Sequence, residues 1–180
     1  MKGDTQIFCS IICIFIAIAC SIVSIAIPYW ISDNVTVDNV QIYSYAGLWK
    51  GCDDALDVTK CIVFKDVKDF VNATRGLMIV GTVMFGFSVL LAIQYARNRN
   101  TTCLANMCIV NLLSGVILLI TAMIVFGKNT SDSALSYGSG FYLPIASCAA
   151  AVYAAIDVAR AKTKYQEYTA IGSESERTNI

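Results

Sequence analysis

The sequence predicts a membrane four-helix bundle that carries a small β-sheet between its first two helices. Three observations predict it: four uncharged apolar runs of spanning length, a composition too apolar for a soluble domain, and one long polar segment of strand-forming residues that holds two cysteines. The chain is 57% apolar and 14% charged, which is more apolar surface than a soluble chain of this size buries.

About 20 helical residues cross a hydrocarbon core of about 30 Å. The expected spans are 7–28, 76–96, 103–127 and 138–159, with 1–6 and 160–180 as terminal segments and 97–102 as a short turn. A cleaved signal peptide usually has an apolar region of only ~7–15 residues, so the first run is expected to remain as a helix. Pro28 ends it, and Tyr29 and Trp30 are placed as interfacial belt residues. Lys2, Arg97, Arg99, Arg160, Lys162 and Lys164 fall on one side of this four-pass arrangement. That side is expected to be cytoplasmic, with both termini on it, in a multi-pass plasma-membrane protein. Segments 29–75 and 128–137 are then extracellular.

In segment 29–75, Val35, Val37, Val40, Ile42, Tyr43 and Tyr45 are β-branched or aromatic residues among polar ones, with Asp38-Asn39 placed for a reversal. Residues 47–52 and 61–64 read as two further short strands, so four strands form a small twisted sheet over the helix ends. Cys52 and Cys61, on the oxidising side of the membrane, are expected to pair, closing a loop whose entropy is worth about 2–3 kcal/mol. Val67, Phe70 and Val71 have helical spacing, which predicts a short amphipathic helix over 65–72.

Two small-residue ladders, Ala146/Ala150/Ala154 and Ala151/Ala155/Ala159, predict that the last helix packs on two sides. Asn106 and Asn111 are expected to face protein, and Asp157 to pair with Arg160 near the helix end. The remaining cysteines read as packing residues, and Cys103, beside the cytoplasmic boundary, is the palmitoylation candidate.

Several functions are disfavoured. Thirteen basic residues balance thirteen acidic ones, so no nucleic-acid partner is indicated. Histidine is absent and no Gly-rich phosphate loop occurs, so an enzyme, a metal site, a cofactor and a small-molecule substrate are not expected.

Trp30, then Gly47-Leu48-Trp49, Cys52 and Cys61 in the first outer loop of a four-span chain resembles the claudin superfamily. That superfamily includes the peripheral myelin protein and epithelial membrane protein branch and auxiliary subunits of calcium channels and glutamate receptors. The stretch 72–78, with basic Arg75, resembles the claudin entry to the second span, and 137–142 resembles the start of the fourth. The resemblance implies a left-handed four-helix bundle with an extracellular antiparallel sheet. It further implies cell–cell adhesion at junctions, with like or related chains meeting in cis and in trans, and a paracellular barrier or charge-selective pore. Between 29 and 75 seven aspartates face four lysines and Arg75. Asp53, Asp54 and Asp57 lie where claudin-like pores carry their selecting charges, so a pore would prefer cations.

The chain departs from the claudin pattern in its short second loop, without the proline-containing stretch, and in a tail that does not end in Tyr-Val. These departures favour a divergent or epithelial-membrane-protein-like member, or an auxiliary subunit of another membrane protein. Asn34, Asn72 and Asn129 head outer-side glycosylation sequons. The tail after Lys164 is polar and expected to be disordered. Its end, Thr178-Asn179-Ile180, fits a strand-adding ligand for a PDZ scaffold.

Overall fold

The computed structural model describes residues 2–37, 40–55, 58–65, 67–99, 101–130 and 136–178. Its elements are α1 (Lys2–Ala26), β1 (Ile31–Val37), β2 (Val40–Ala46), β3 (Lys50–Ala55), β4 (Val58–Val63), α2 (Asp69–Arg97), α3 (Thr102–Thr130), β5 (Ser136–Tyr137) and α4 (Ser139–Thr178). Each helix contains a stretch long and apolar enough to cross a membrane, as the four uncharged runs predict. Phe15, Phe87, Val110 and Ile117 are exposed around the bundle, where lipid is a better solvent than water.

Each helix packs on its successor and α1 closes against α4. Lipid gives helices no hydrophobic reason to associate, so close backbone approach and polar contacts must hold them. Gly81 of α2 and Gly115 of α3 supply the approach: a Cβ on either would stand 3.2 Å from the other's carbonyl oxygen. Asn111 of α3 adds hydrogen bonds to the Met84 carbonyl, 2.6 Å, and to the Ser88 hydroxyl, 2.8 Å. Between α1 and α4, the Ser147 hydroxyl donates to the Ala17 carbonyl at 2.7 Å and lies 2.7 Å from the Ser21 hydroxyl. Asn106, expected to face protein, is instead exposed and accepts from Lys162 Nζ at 2.8 Å, while Arg160 approaches the buried Asp157 carboxylate at 3.8 Å. In the ladder Ala151/Ala155/Ala159 the first two are buried and Ala159 is half-buried, whereas in the other ladder Ala146 is exposed, Ala150 half-buried and only Ala154 buried. Ser147 and Ala154 complete the buried stripe instead.

The sheet runs β4-β3-β2-β1-β5, with every pairing antiparallel. Three boundaries differ from the sequence expectation. First, β3 begins at Lys50 rather than at Gly47, because Gly47 N–H bonds the Lys50 carbonyl at 2.9 Å and leaves Leu48-Trp49 as a two-residue hairpin loop. Second, residues 69–72 are the opening turn of α2, continuous through Gly76, instead of a separate amphipathic helix. Third, α4 runs on past Lys164 to Thr178, since 165–178 holds no proline to stop it. The two-residue strand β5, absent from the sequence reading, pairs with Ile31 and Ser32. The expected reversal at Asp38-Asn39 lies outside the described residues.

Candidate adhesive surface and its anchor

The sheet is fastened to one end of the bundle by the residues around Trp30. The chain has two prolines, and each withholds the N–H that a helix would direct four residues back. Pro28 thereby leaves the Ser24 carbonyl free, and the Trp30 indole N–H fills the place at 2.7 Å. Pro144 leaves the Gly140 carbonyl free, and the Ser24 hydroxyl donates to it at 2.7 Å. Gly140 N–H in turn bonds the Tyr29 carbonyl at 2.7 Å, and Gly138 N–H bonds the Trp30 carbonyl at 3.0 Å. The start of α4 is therefore stitched to the strand that leaves α1.

Trp30 is fully buried, edge-on to Phe126 and Phe141, which corrects its placement as a belt residue. Its N–H is consumed inside the protein rather than by interfacial water. Tyr29 does remain partly exposed, stacked on Tyr45 with ring centroids 4.4 Å apart.

The hairpin loop Leu48-Trp49 is the second fastening. Leu48 is fully buried in the same core, and its carbonyl accepts from Arg75 Nε at 2.8 Å and from Nη2. The Arg75 guanidinium sits 4.5 Å above the half-exposed Trp49 ring and also donates to Asn72 at 3.0 Å. The reason for Gly47 is steric: a Cβ there would lie 2.5 Å from the Ile27 carbonyl oxygen and 2.6 Å from Pro28 Cα.

Cys52 and Cys61 form a disulfide and are directly opposed across β3 and β4. It ties β4, whose six residues are all exposed, to β3, whose Cys52 is buried.

Register decides which charges share a face. Asp33 and Asp53 both lie opposite Ser44, one on each side of β2, and Lys60 follows across from Asp53. These four residues therefore form one polar row on one face. Asp33, Ser44 and Asp53 border a concavity of about 340 Å³ floored by Ile62 and Phe64. Asp54 is the next residue along β3 and belongs to the opposite face, in register with Tyr43. Asp53 and Asp54 thus do not converge, and Asp57 lies outside the described residues. Asp33 was counted in the sequence only as one charge among many; its pairing through Ser44 is a property of register and has no local signal. On the face of Asp54, a hydrogen bond to Tyr29, with burial and the nearby carboxylate adding, pushes the Tyr45 phenol up to about 12.

The modification candidates are scattered. Asn34 is exposed on β1, Asn72 is exposed in the first turn of α2, and Asn129 is exposed near the end of α3 with its amide on the Val125 carbonyl at 2.8 Å. Cys103 is exposed at the start of α3. Thr178 ends α4, and Asn179 and Ile180 lie outside the described residues. Among the described residues no three His, Cys, Asp or Glu side chains are grouped as metal ligands would be. A comparison with models of protein families and with curated proteins finds no match to this chain.

Proposed function

We propose that this chain is a claudin-like cell–cell contact protein of the plasma membrane, with the sheet outside the cell and both termini inside. Like or related chains would associate through the sheet, in cis and in trans, and so contribute to a paracellular barrier or a cation-leaning pore. One observation carries the reading: the edge strand β4 is exposed along its whole length, with Ile62 and Val63 each 67% exposed. An uncovered apolar edge offers both a row of backbone hydrogen-bonding groups and apolar area to another chain. The face of Asp33, Ser44 and Asp53 would supply the charge preference.

The test is localisation in two contacting cell layers that both express the chain. Enrichment at apposed borders, lost when Ile62→Asp and Val63→Asp are introduced together, supports the reading. An even distribution over free and apposed surfaces overturns it. The auxiliary-subunit alternative predicts instead co-purification with a channel and altered gating.

A further inference from the structure

On the outside of the bundle, α3 and α4 leave an apolar groove of about 520 Å³ whose lining includes Ile120, Ile124, Ile145 and Cys148. Phe141 and Lys128 lie at its end nearer the sheet. That volume falls within the range of about 300–1,000 Å³ that holds a small organic ligand. From Lys128 to Ile120 the α3 axis advances by roughly 12 Å, most of the ~15 Å depth of one hydrocarbon leaflet. With Lys128 at the membrane–water boundary, where a basic side chain is anchored, the groove would descend through one leaflet. Its walls are apolar along that depth, and the cation stands where a lipid phosphate would be.

We infer that this groove holds one acyl chain of a membrane phospholipid, with the phosphate of the headgroup against Lys128. The tail would lie along Ile120, Ile124 and Ile145, and Lys128, exposed at the rim, would contribute the ionic contact. The lipid would then be a bound component of the α3–α4 face and not merely boundary solvent. This inference is independent of adhesion, since it concerns the outer wall of the bundle and not the sheet.

Native mass spectrometry of the full chain, purified in mild detergent and supplied with palmitoyl-oleoyl-phosphatidylcholine and with cholesterol, tests it. One phosphatidylcholine is expected to stay bound per chain. Lys128→Gln should lower the retained fraction about tenfold, the equivalent of about 1.4 kcal/mol, and Ile145→Trp, which fills the groove, should abolish it. Val110→Trp, at a 63% exposed position elsewhere on α3, should leave it unchanged. An intact disulfide and an unchanged unfolding temperature certify that the variants are folded. Equal retention by wild type, Lys128→Gln and Ile145→Trp overturns the inference. So does retention of cholesterol in place of phosphatidylcholine, or loss by Ile145→Trp with none by Lys128→Gln, since either outcome removes the phosphate.

Discussion

The Ser24 hydroxyl donates a 2.7 Å hydrogen bond to the Gly140 carbonyl, the group that Pro144, four residues on, has no N–H to satisfy. In the interior of a membrane protein no water replaces such a bond. Ser24→Ala should therefore destabilise the fold by about 1–3 kcal/mol, the cost of an unpaired buried carbonyl. Pro144→Ala restores the N–H, so in that background the same serine change should cost markedly less. Thermal unfolding of the four proteins of this double-mutant cycle measures the difference. Equal costs in both backgrounds would disprove the compensation.

Two glycines should respond in opposite directions. Alanine at Gly47 would put its Cβ 2.5 Å from the Ile27 carbonyl oxygen, against backbone that cannot swing aside. Gly47→Ala is expected to cost about 3 kcal/mol, the upper end for overpacking, and to reduce the amount of chain reaching the cell surface. A Cβ at Gly76 meets nothing within 4 Å, and the residue lies within α2. Gly76→Ala should stabilise by about 0.5–1 kcal/mol. Thermal unfolding of both variants decides, and equal shifts would contradict the steric account.

Arg75 joins the Leu48 carbonyl to the Trp49 ring, a task for a planar fork and not merely for positive charge. A hydrogen bond from a charged donor is worth about 1.5–3 kcal/mol, and an exposed cation–π contact about 0.5–1 kcal/mol. Arg75→Lys should therefore lose more than half of the unfolding temperature that Arg75→Ala loses. Full rescue by lysine would show that charge alone matters.

What could be read in the sequence followed from requirements that lipid imposes locally. A span needs an uninterrupted apolar run, and Cys52 and Cys61 stood alone in a polar segment. The start of β3 was misplaced because it is set by contacts made far along the chain. Leu48-Trp49 lacks the small residues of a tight turn and holds its loop because Leu48 is buried and Arg75, 27 residues later, grips its carbonyl. Trp30 looked interfacial because an indole favours that boundary. Its ring is buried against Phe126 and Phe141, far along the chain, and Pro28 supplies only the open Ser24 carbonyl that takes the indole N–H.

Tyr45 offers a pH-dependent check on the face that carries Asp54. An unperturbed phenol titrates near 10, whereas the hydrogen bond to Tyr29, together with burial and Asp54, raises Tyr45 to about 12 in the fold. A raised folded value means that the neutral phenol is favoured by folding. The contribution is complete below about pH 10 and is lost as pH climbs toward 12. The stability difference between wild type and Tyr45→Phe should accordingly be constant from pH 7 to 9 and shrink above 10. A difference that does not change up to pH 11.5 would refute the coupling.

The two neighbouring carboxylates of β3, Asp53 and Asp54, distinguish a path along one face of the sheet from one that meets both. Read as a run, Asp53 and Asp54 are equivalent; read through register, Asp53 shares a face with Asp33 while Asp54 turns to the side of Tyr43. A path lined by one face of the sheet would sense Asp33 and Asp53 together. Lys60, opposite Asp53, offsets part of that charge, so neutralising both aspartates leaves a net positive row. In paracellular dilution potentials, Asp33→Asn with Asp53→Asn should therefore abolish or reverse the cation preference that the proposed pore would show, while Asp54→Asn leaves it unchanged. Lys60→Gln should strengthen it. An effect of Asp54→Asn equal to that of the double variant would mean that both faces meet the ions, and the one-sided pathway would have to be given up.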